Sequence, residues 1–206
     1  MTEQWPCGLE VLCADLVSGD ETLAERAALK LPELGSQAMA VVCGLYETSD
    51  SEARWWVIRA LAGFETTMAI PGSARDETTS ILLTALSDDS EELRQAAAMA
   101  FCHRPDPQAL TKLAYTLNDP DPMTAKLASN ALILLEKQAT PVLLDVLENG
   151  HQIAKLEAVR ALAEIKDTRA IPGLMKAYET GSAIMRYWAG LGLDNLGVGM
   201  IYLKPD

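Results

Sequence analysis

Positive charge and large aromatic rings are both scarce in this chain. Its 206 residues include only two phenylalanines and two histidines, and 29 Asp and Glu residues against 17 Lys and Arg residues give a formal net charge of −12. Proteins bind nucleic acid through Lys and Arg surfaces that release counterions from the phosphates. We therefore expect no nucleic-acid partner and, for the same electrostatic reason, no anionic membrane partner.

Long hydrophobic runs are also absent from the sequence. No apolar stretch approaches the ~20 residues that span a bilayer. The N-terminal segment has no Lys or Arg before Arg26 and is interrupted by Pro, Gly and acidic residues, which is unlike a signal peptide. With 49% hydrophobic and 22% charged residues the composition is typical of a folded domain, and we expect it in the cytoplasm.

Residues that could bind a metal or act in catalysis are few and isolated. The four cysteines are Cys7, Cys13, Cys43 and Cys102, and none belongs to a CxxC pair of the kind that zinc sites use. His103 follows Cys102, but adjacent side chains on a helix point ~100° apart, so the imidazole does not face the thiol. We expect no catalytic residue, no metal and no cofactor.

One sequence pattern recurs six times along the chain: a small residue, three mixed positions, then a large apolar residue. The closing apolar residues are Leu31, Leu61, Phe101, Leu132, Leu162 and Leu193, with separations of 30, 40, 31, 30 and 31. A second set of anchors lies between them: Leu45, Leu86, Leu117, Leu147 and Tyr178. A period near 31 indicates a repeat array in which each repeat has two apolar segments.

Both segments of each repeat are predicted to be helical. Apolar residues recur at three and four positions, as in Leu93, Ala97 and Phe101, and alanine is abundant. Clusters of Ser, Asp, Gly and Pro between the segments supply turns and N-caps. We predict an all-α superhelix of antiparallel helix pairs, a single domain over 1–206. It comprises a capping helix at 8–18, repeats at about 21–47, 51–87, 90–118, 122–148 and 152–179, and a terminal helix and cap at 182–206.

A family resemblance is clearest in the segment 158–174, AVRALAEIKDTRAIPGL. It resembles the HEAT repeat in the 31-residue variety called the phycobilisome lyase HEAT-like repeat. The basic residue of that consensus is matched at Arg54, Arg94, Lys155 and Arg186, whereas Ala24 and Ala125 depart from it. The resemblance covers about 22–197 and implies a HEAT-like α-solenoid. It says less about function, since such repeats serve scaffolds, chromophore-attachment factors and enzymes.

The second helices of such stacks line a concave face, and we predict that a partner protein binds there. Residues two and five positions before each second anchor, and one after it, share one helical face. The predicted contacts are Tyr46, Ile81, Thr84, Lys112, Tyr115, Asp145, Glu148, Lys176 and Glu179. This mixture of aromatic, cationic and anionic groups is typical of protein interfaces, and the acidity of the chain favours a partner with a basic patch.

One repeat is longer than the others by about nine residues. We predict that the excess forms an inserted loop at 65–76. Long loops are either functional or tolerated, and this one contains an apolar patch. Its predicted partner contacts are Met68, Ile70, Pro71 and Arg75.

These patterns favour a non-catalytic protein-protein interaction scaffold, adaptor or maturation factor. The family resemblance leaves an alternative open, a bilin lyase-like subunit that attaches or detaches the chromophore of a phycobiliprotein. No motif in the sequence decides between the two. The tail 198–206 is predicted either to cover the last helix or to serve as a docking element.

Overall fold

The computed structural model describes residues 8–64 and 72–198. The chain divides into two compact units, 1–104 and 105–206, which we call unit 1 and unit 2. All regular secondary structure in the described residues is helical, which confirms the all-α prediction. None of these helices combines the length and the apolar composition that crossing a bilayer requires.

Unit 1 contains three first helices and three second helices of the repeats. In chain order they are α1 (Leu9–Leu16), α2 (Glu21–Lys30), α3 (Ser36–Thr48), α4 (Ser51–Phe64), α5 (Gly72–Ala85) and α6 (Glu91–His103). Even-numbered helices are first helices and odd-numbered helices are second helices. A 3-10 turn at Leu31–Leu34 joins α2 to α3.

Unit 2 continues the same alternation of helices. It contains α7 (Leu110–Thr116), α8 (Pro122–Leu134), α9 (Thr140–Asn149), α10 (Gln152–Ile165), α11 (Ile171–Thr180) and α12 (Ala183–Asn195). Short 3-10 turns at Pro107–Ala109, Glu136–Gln138 and Thr168–Ala170 precede the second helices. These turns let each second helix reverse direction within a few residues.

The polar clusters between repeats act as helix N-caps, as the sequence predicts. Side-chain oxygens accept hydrogen bonds from backbone N–H groups in the first turns of the even-numbered helices; these caps are Asp20, Asp50, Ser90, Asp121 and Ser182. The equivalent residue before α10 is His151, whose side chain makes no capping bond. Five of the six even-numbered helices that the structure describes therefore begin with a side-chain N-cap.

The closing residues of the repeat pattern form the core of both units. Leu31, Leu61, Phe101, Leu132 and Leu162 are fully buried, and Leu193 is 2% exposed. Small residues bring the helices close together: a Cβ on Gly192 of α12 would lie 2.9 Å from Ala163 of α10. A core filled by Ala and Leu at such short separations leaves little room for phenylalanine.

The inserted segment is shorter than predicted, because α5 begins at Gly72. Arg75, predicted to lie in a loop, is an exposed residue of this helix. Compared with α7, whose start corresponds to Thr79, α5 gains about two N-terminal turns. Met68, Ile70, Pro71 and the tail beyond Val198 lie outside the described residues.

Candidate partner-binding surfaces

Three basic residues of the repeat consensus donate to carbonyls in the last turn of the preceding second helix or just after it. Arg54 Nε donates to the Tyr46 carbonyl at 3.1 Å, and Lys155 Nζ donates to the Glu148 carbonyl at 2.9 Å. Arg94 Nη1 donates to the carbonyls of Asp88 and Asp89 at 2.9 and 3.1 Å. A cation at a helix C-terminus satisfies carbonyls that have no partner within the helix. We therefore assign these residues to the architecture of the repeat.

The second-helix face of unit 2 is a row of exposed polar and aromatic side chains on α7, α9 and α11. We call it the unit 2 ladder; it consists of Lys112, Tyr115, Asp145, Glu148, Lys176 and Glu179. Tyr115 is 73% exposed, and Lys112 Nζ lies 5.6 Å from the centre of its ring. Lys112 is half-buried, and the other four residues are exposed. An exposed tyrosine beside charges of both signs is the composition of a protein-binding hot spot.

A cavity of about 440 Å³ opens between α9 and α11, next to the ladder. Glu148 and Lys176 approach each other here, with 4.0 Å between Oε1 and Nζ. Gly173 allows the two helices to pack closely, since a Cβ there would lie 2.7 Å from Leu144. Lys176 therefore provides a positive charge close to the Glu148 carboxylate at the edge of this cavity.

In unit 1 the second-helix face differs from the prediction at Tyr46. Thr84 is exposed and Ile81 is half-buried, but Tyr46 is only 6% exposed and packs into the core. The anchor of α3 is Tyr46 rather than Leu45, because the buried residues Met39, Val42 and Tyr46 match Thr79 and Leu82 of α5 and Leu86, which directly follows that helix. A shift of one residue rotates a side chain by ~100° around the helix, which moves Tyr46 from the predicted surface to the interior.

Tyr46 and its neighbours line a second cavity, of about 520 Å³, which opens between α3 and α5. We call it the acidic cavity; its lining includes Cys43, Gly44, Tyr46, Glu47, Arg54, Glu77, Ser80, Ile81, Thr84 and Asp88. The Arg54 guanidinium lies 5.3 Å from the centre of the Tyr46 ring, and its Nη1 lies 4.0 Å from Asp88 Oδ2. Burial, and to a lesser extent the Asp88 carboxylate, raise the pKa of the Tyr46 hydroxyl.

An apolar groove of about 320 Å³ runs between the first helices of unit 1. Its floor is formed by small residues such as Ala28, Gly63 and Ala100, and its rim includes Leu29, Trp55, Arg59 and Met99. Leu29 is 62% and Met99 is 46% exposed, and the Arg59 guanidinium lies 5.7 Å from the Trp55 ring. Sequence reasoning missed this groove. The signal was available, since Leu29, Arg59 and Met99 each stand two positions before a closing residue.

The cysteines of the described residues are poor nucleophiles. Burial raises the pKa of Cys102 to about 11 and also raises the pKa of Cys13 and of Cys43. Since the thiolate is the reactive form, these three thiols stay protonated at neutral pH. Within 8–64 and 72–198 no three His, Cys, Asp or Glu side chains form a group suited to a metal ion.

Two segments of the chain match models of known repeat families, and about half of the chain aligns with a known protein. Residues 79–152 match the family model described as HEAT repeats, and residues 154–180 match the phycobilisome (PBS) lyase HEAT-like repeat. The chain is similar to phycocyanobilin lyase subunit beta of Nostoc sp. strain PCC 7120, with 34% identity over 113 residues. That alignment covers 54% of this chain and 56% of the relative, so it spans little more than half of the relative's length.

Solved structures of engineered repeat proteins resemble the fold. One engineered protein gives a TM-score of 0.55 at 22% identity, covering 94% of this chain and 98% of that one. A designed armadillo repeat protein in complex with the peptide (KR)4 gives 0.55 at 19% identity, covering 91% of this chain and 99% of that one. At these identities the likeness concerns the fold alone, which is a helical repeat architecture.

Proposed function

We propose that this chain, a HEAT-repeat protein of the phycobilisome lyase HEAT-like repeat family, is a non-catalytic scaffold, adaptor or maturation factor. In this proposal it binds a partner protein on its second-helix faces and acts in the cytoplasm. A repeat scaffold of this kind supports a protein-interaction role. Stacked helices hold side chains in place before binding, so that few residues lose conformational freedom when the partner docks.

The observation that supports the proposal most directly is the unit 2 ladder. Tyr115 exposes 73% of its surface on a rigid helix, beside Lys112 and in a row with acidic and basic residues of α9 and α11. Tyrosine contributes large contact area at low entropic cost, and surrounding charges favour a complementary partner. The net charge of −12 favours a partner with a basic patch. One structurally similar designed protein is itself in complex with a basic peptide.

Affinity capture with matched variants tests this proposal. Wild type, Tyr115→Ala and Lys126→Ala are immobilised, and proteins retained from native lysate are quantified by mass spectrometry. Lys126 is an exposed residue of the first helix α8, outside the ladder. We expect a defined protein that Lys126→Ala retains as well as wild type does and that Tyr115→Ala loses by about tenfold, with retention falling as salt rises. Equal retention of the same proteins by all three baits would contradict the proposal.

A second candidate function comes from the relative in Nostoc. That protein is a phycocyanobilin lyase subunit, and the same repeat is present here at 154–180. In this alternative the chain attaches or detaches the bilin of a phycobiliprotein. The test supplies purified chain with an apo-phycobiliprotein and free phycocyanobilin, and follows the absorbance of a covalent coloured adduct. Adduct formation above the level without the chain supports the lyase role, and none is expected for a scaffold.

A further inference from the structure

We infer that the acidic cavity of unit 1 receives the charged end of one lysine or arginine side chain of the partner protein. This inference rests on the proposed function, because it identifies which chemical group of a basic partner is recognised and where. Four observations lead to it: the charge of the cavity, its unused hydrogen-bond acceptor, its size, and the equivalent cavity of unit 2.

The charge of the cavity is negative. Three carboxylates line it, Glu47, Glu77 and Asp88, whereas Arg54 is the one basic residue of its lining. Arg54 is already engaged, because its Nε donates to the Tyr46 carbonyl and its Nη1 lies 4.0 Å from Asp88. Arg54 therefore pairs with Asp88, and the other two carboxylates of the lining, Glu47 and Glu77, have no counter-ion among the remaining lining residues. Lysine and arginine side chains carry donors and positive charge only, so they complement such a site.

The directions in which the carboxylates shift the pKa values of Tyr46 and Cys43 agree with the negative charge of the cavity. Besides burial, which is the main cause in each case, Asp88 raises the pKa of Tyr46 and Glu77 raises the pKa of Cys43. Arg54 and the deeper Arg104 act in the opposite direction on the same two groups. The carboxylates are thus close enough to the cavity walls to influence a group placed there.

The Tyr46 hydroxyl is an acceptor that the described residues leave unused. Tyr46 is 6% exposed, it lines the cavity, and its hydroxyl has no hydrogen-bond partner among the residues that the structure describes. Buried hydroxyls in native proteins nearly always have a partner. The Tyr46 oxygen is screened from solvent in this structure, so an incoming ammonium or guanidinium group donates to it only after a small shift of the lining. The hydroxyls of Ser80 and Thr84 lie on the same lining and belong to exposed residues. The cavity's volume of about 520 Å³ is within the range of small-ligand sites.

Unit 2 shows how a cation occupies the equivalent place. By the repeat spacing, Glu148 corresponds to Glu47, Lys155 to Arg54, and Lys176 to Thr84. In unit 2 the Lys176 ammonium reaches to 4.0 Å from Glu148, so the chain itself supplies the basic side chain. In unit 1 threonine replaces that lysine while the glutamate remains. The partner's side chain supplies the cation that unit 1 lacks at this position.

The equivalence suggests a variant that closes the site without removing a carboxylate. Thr84→Lys places a lysine in unit 1 where unit 2 has one, and it competes with an incoming cation. Asp88→Asn and Tyr46→Phe remove a charge and a hydroxyl with little change of shape. Gln37→Lys is the matched control, because it adds the same charge to an exposed site of α3 outside the cavity lining.

The experiment measures binding of an acetylated (KR)4 peptide to the full chain by titration calorimetry at low and moderate salt. We expect Thr84→Lys and Asp88→Asn to weaken binding at least fivefold and Tyr46→Phe about threefold, with Gln37→Lys within twofold of wild type. Thermal melting monitored by circular dichroism verifies that each variant is folded. If Thr84→Lys does not fold, the peptide affinity of Asp88→Asn tests the inference.

Two outcomes overturn the inference. If folded Thr84→Lys and Asp88→Asn bind the peptide as tightly as wild type does, the cavity is not the receptor. If wild type does not bind the peptide at either salt concentration, no basic side chain is received. The capture experiment with Tyr115→Ala judges the proposed function separately, because Tyr115 belongs to unit 2 and lies outside the acidic cavity.

Discussion

Arg59 of unit 1 and Arg160 of unit 2 are equivalent residues in very different surroundings. Each stands two positions before a buried leucine of a first helix. Arg160 donates to Glu157 and Glu164 on its own helix and to Ser129 and Asn130 on α8, at 2.9 to 3.0 Å. Arg59 instead lies over the Trp55 ring, at the rim of the apolar groove. The same position thus links two helices in one unit and borders an open surface in the other.

The second-helix faces of the two units differ in the same way. Unit 2 pairs Glu148 with its own Lys176, whereas unit 1 has Thr84 in place of that lysine. At these two positions unit 2 therefore pairs its charged groups within the chain. Unit 1 leaves an apolar groove on one face and an acidic cavity on the other. The comparison indicates that substitutions at the position of Arg59 and Arg160 will reduce stability in unit 2 more than in unit 1.

The largest expected difference is between Arg160→Ala and Arg59→Ala. Arg160 is 14% exposed and holds four partners, so its loss should lower the free energy of unfolding by about 2 to 3 kcal/mol. Arg59 is exposed and lies over the Trp55 ring, and its replacement should change stability by less than about 0.5 kcal/mol. Urea denaturation followed by circular dichroism measures both. Equal losses in the two variants would refute the difference between the units.

Two glycines offer a second matched pair. Gly192→Ala places a Cβ 2.9 Å from the Ala163 backbone, and we expect a loss of about 1 to 3 kcal/mol from this overpacking. Gly44 of α3 has no atom within 4 Å of a Cβ, so Gly44→Ala should stabilise the helix by about 0.5 to 1 kcal/mol. A melting temperature of Gly192→Ala that is unchanged or raised would show that α10 and α12 can separate without cost.

The turn before α11 provides a pH-dependent prediction confined to unit 2. Asp167 accepts hydrogen bonds from the Arg169 side chain and backbone and from Thr140 Oγ1, and the Arg169 bonds hold the pKa of Asp167 well below its usual range. A depressed folded pKa stabilises the protein above the unfolded value of about 3.9, and this stabilisation is lost as pH falls through the folded value.

Asp167→Asn tests this linkage. At pH 7 the variant should melt below wild type, and the gap between the two melting temperatures should remain constant down to about pH 5 and then shrink as the pH falls further. Melting curves at pH 7, 5, 4 and 3 measure the gap. A gap that stays constant to pH 3 would show that the charge of Asp167 does not stabilise the turn.

The smallest effect is expected at a helix cap. His151 precedes α10 with φ −71° and ψ 167°, a suitable backbone for an N-cap, but its side chain makes no capping bond. In unit 1 the equivalent Ser90 accepts from the Leu93 N–H. His151→Ser should therefore gain about 1 kcal/mol, and Ser90→Ala should lose a similar amount. Thermal melts of both variants measure the caps, and no gain in His151→Ser would mean that another group already satisfies the start of α10.

Much of the fold was predictable because it depends on local patterns. The 31-residue spacing identified all six closing residues of the first helices, and the structure buries each of them. Polar clusters predicted the N-caps because an Asp or Ser side chain bonds to backbone groups only two or three residues away. The exposed ladder of unit 2 follows from the same periodicity.

The predictions failed where distant parts of the chain decide the outcome. Leu45 and Tyr46 are both large and apolar, and only packing against the neighbouring helices selects Tyr46 for the core. The sequence predicts a loop through residue 76, yet α5 begins at Gly72, and its Thr78 and Thr79 are buried. The sequence pattern did not predict the apolar groove, because its residues come from three helices about 30 to 40 positions apart.

The sequence by itself determined the helical repeat, its period, its caps and its acidic character, since these depend on residues near one another in the chain or on composition. Tertiary structure decided which of the equivalent side chains bond to a neighbouring helix and which stay exposed to solvent. Arg160 finds Ser129 and Asn130 about 30 residues earlier, while Arg59 contacts Trp55 of its own helix. That difference depends on distances between helices, which a repeat pattern in one dimension does not contain.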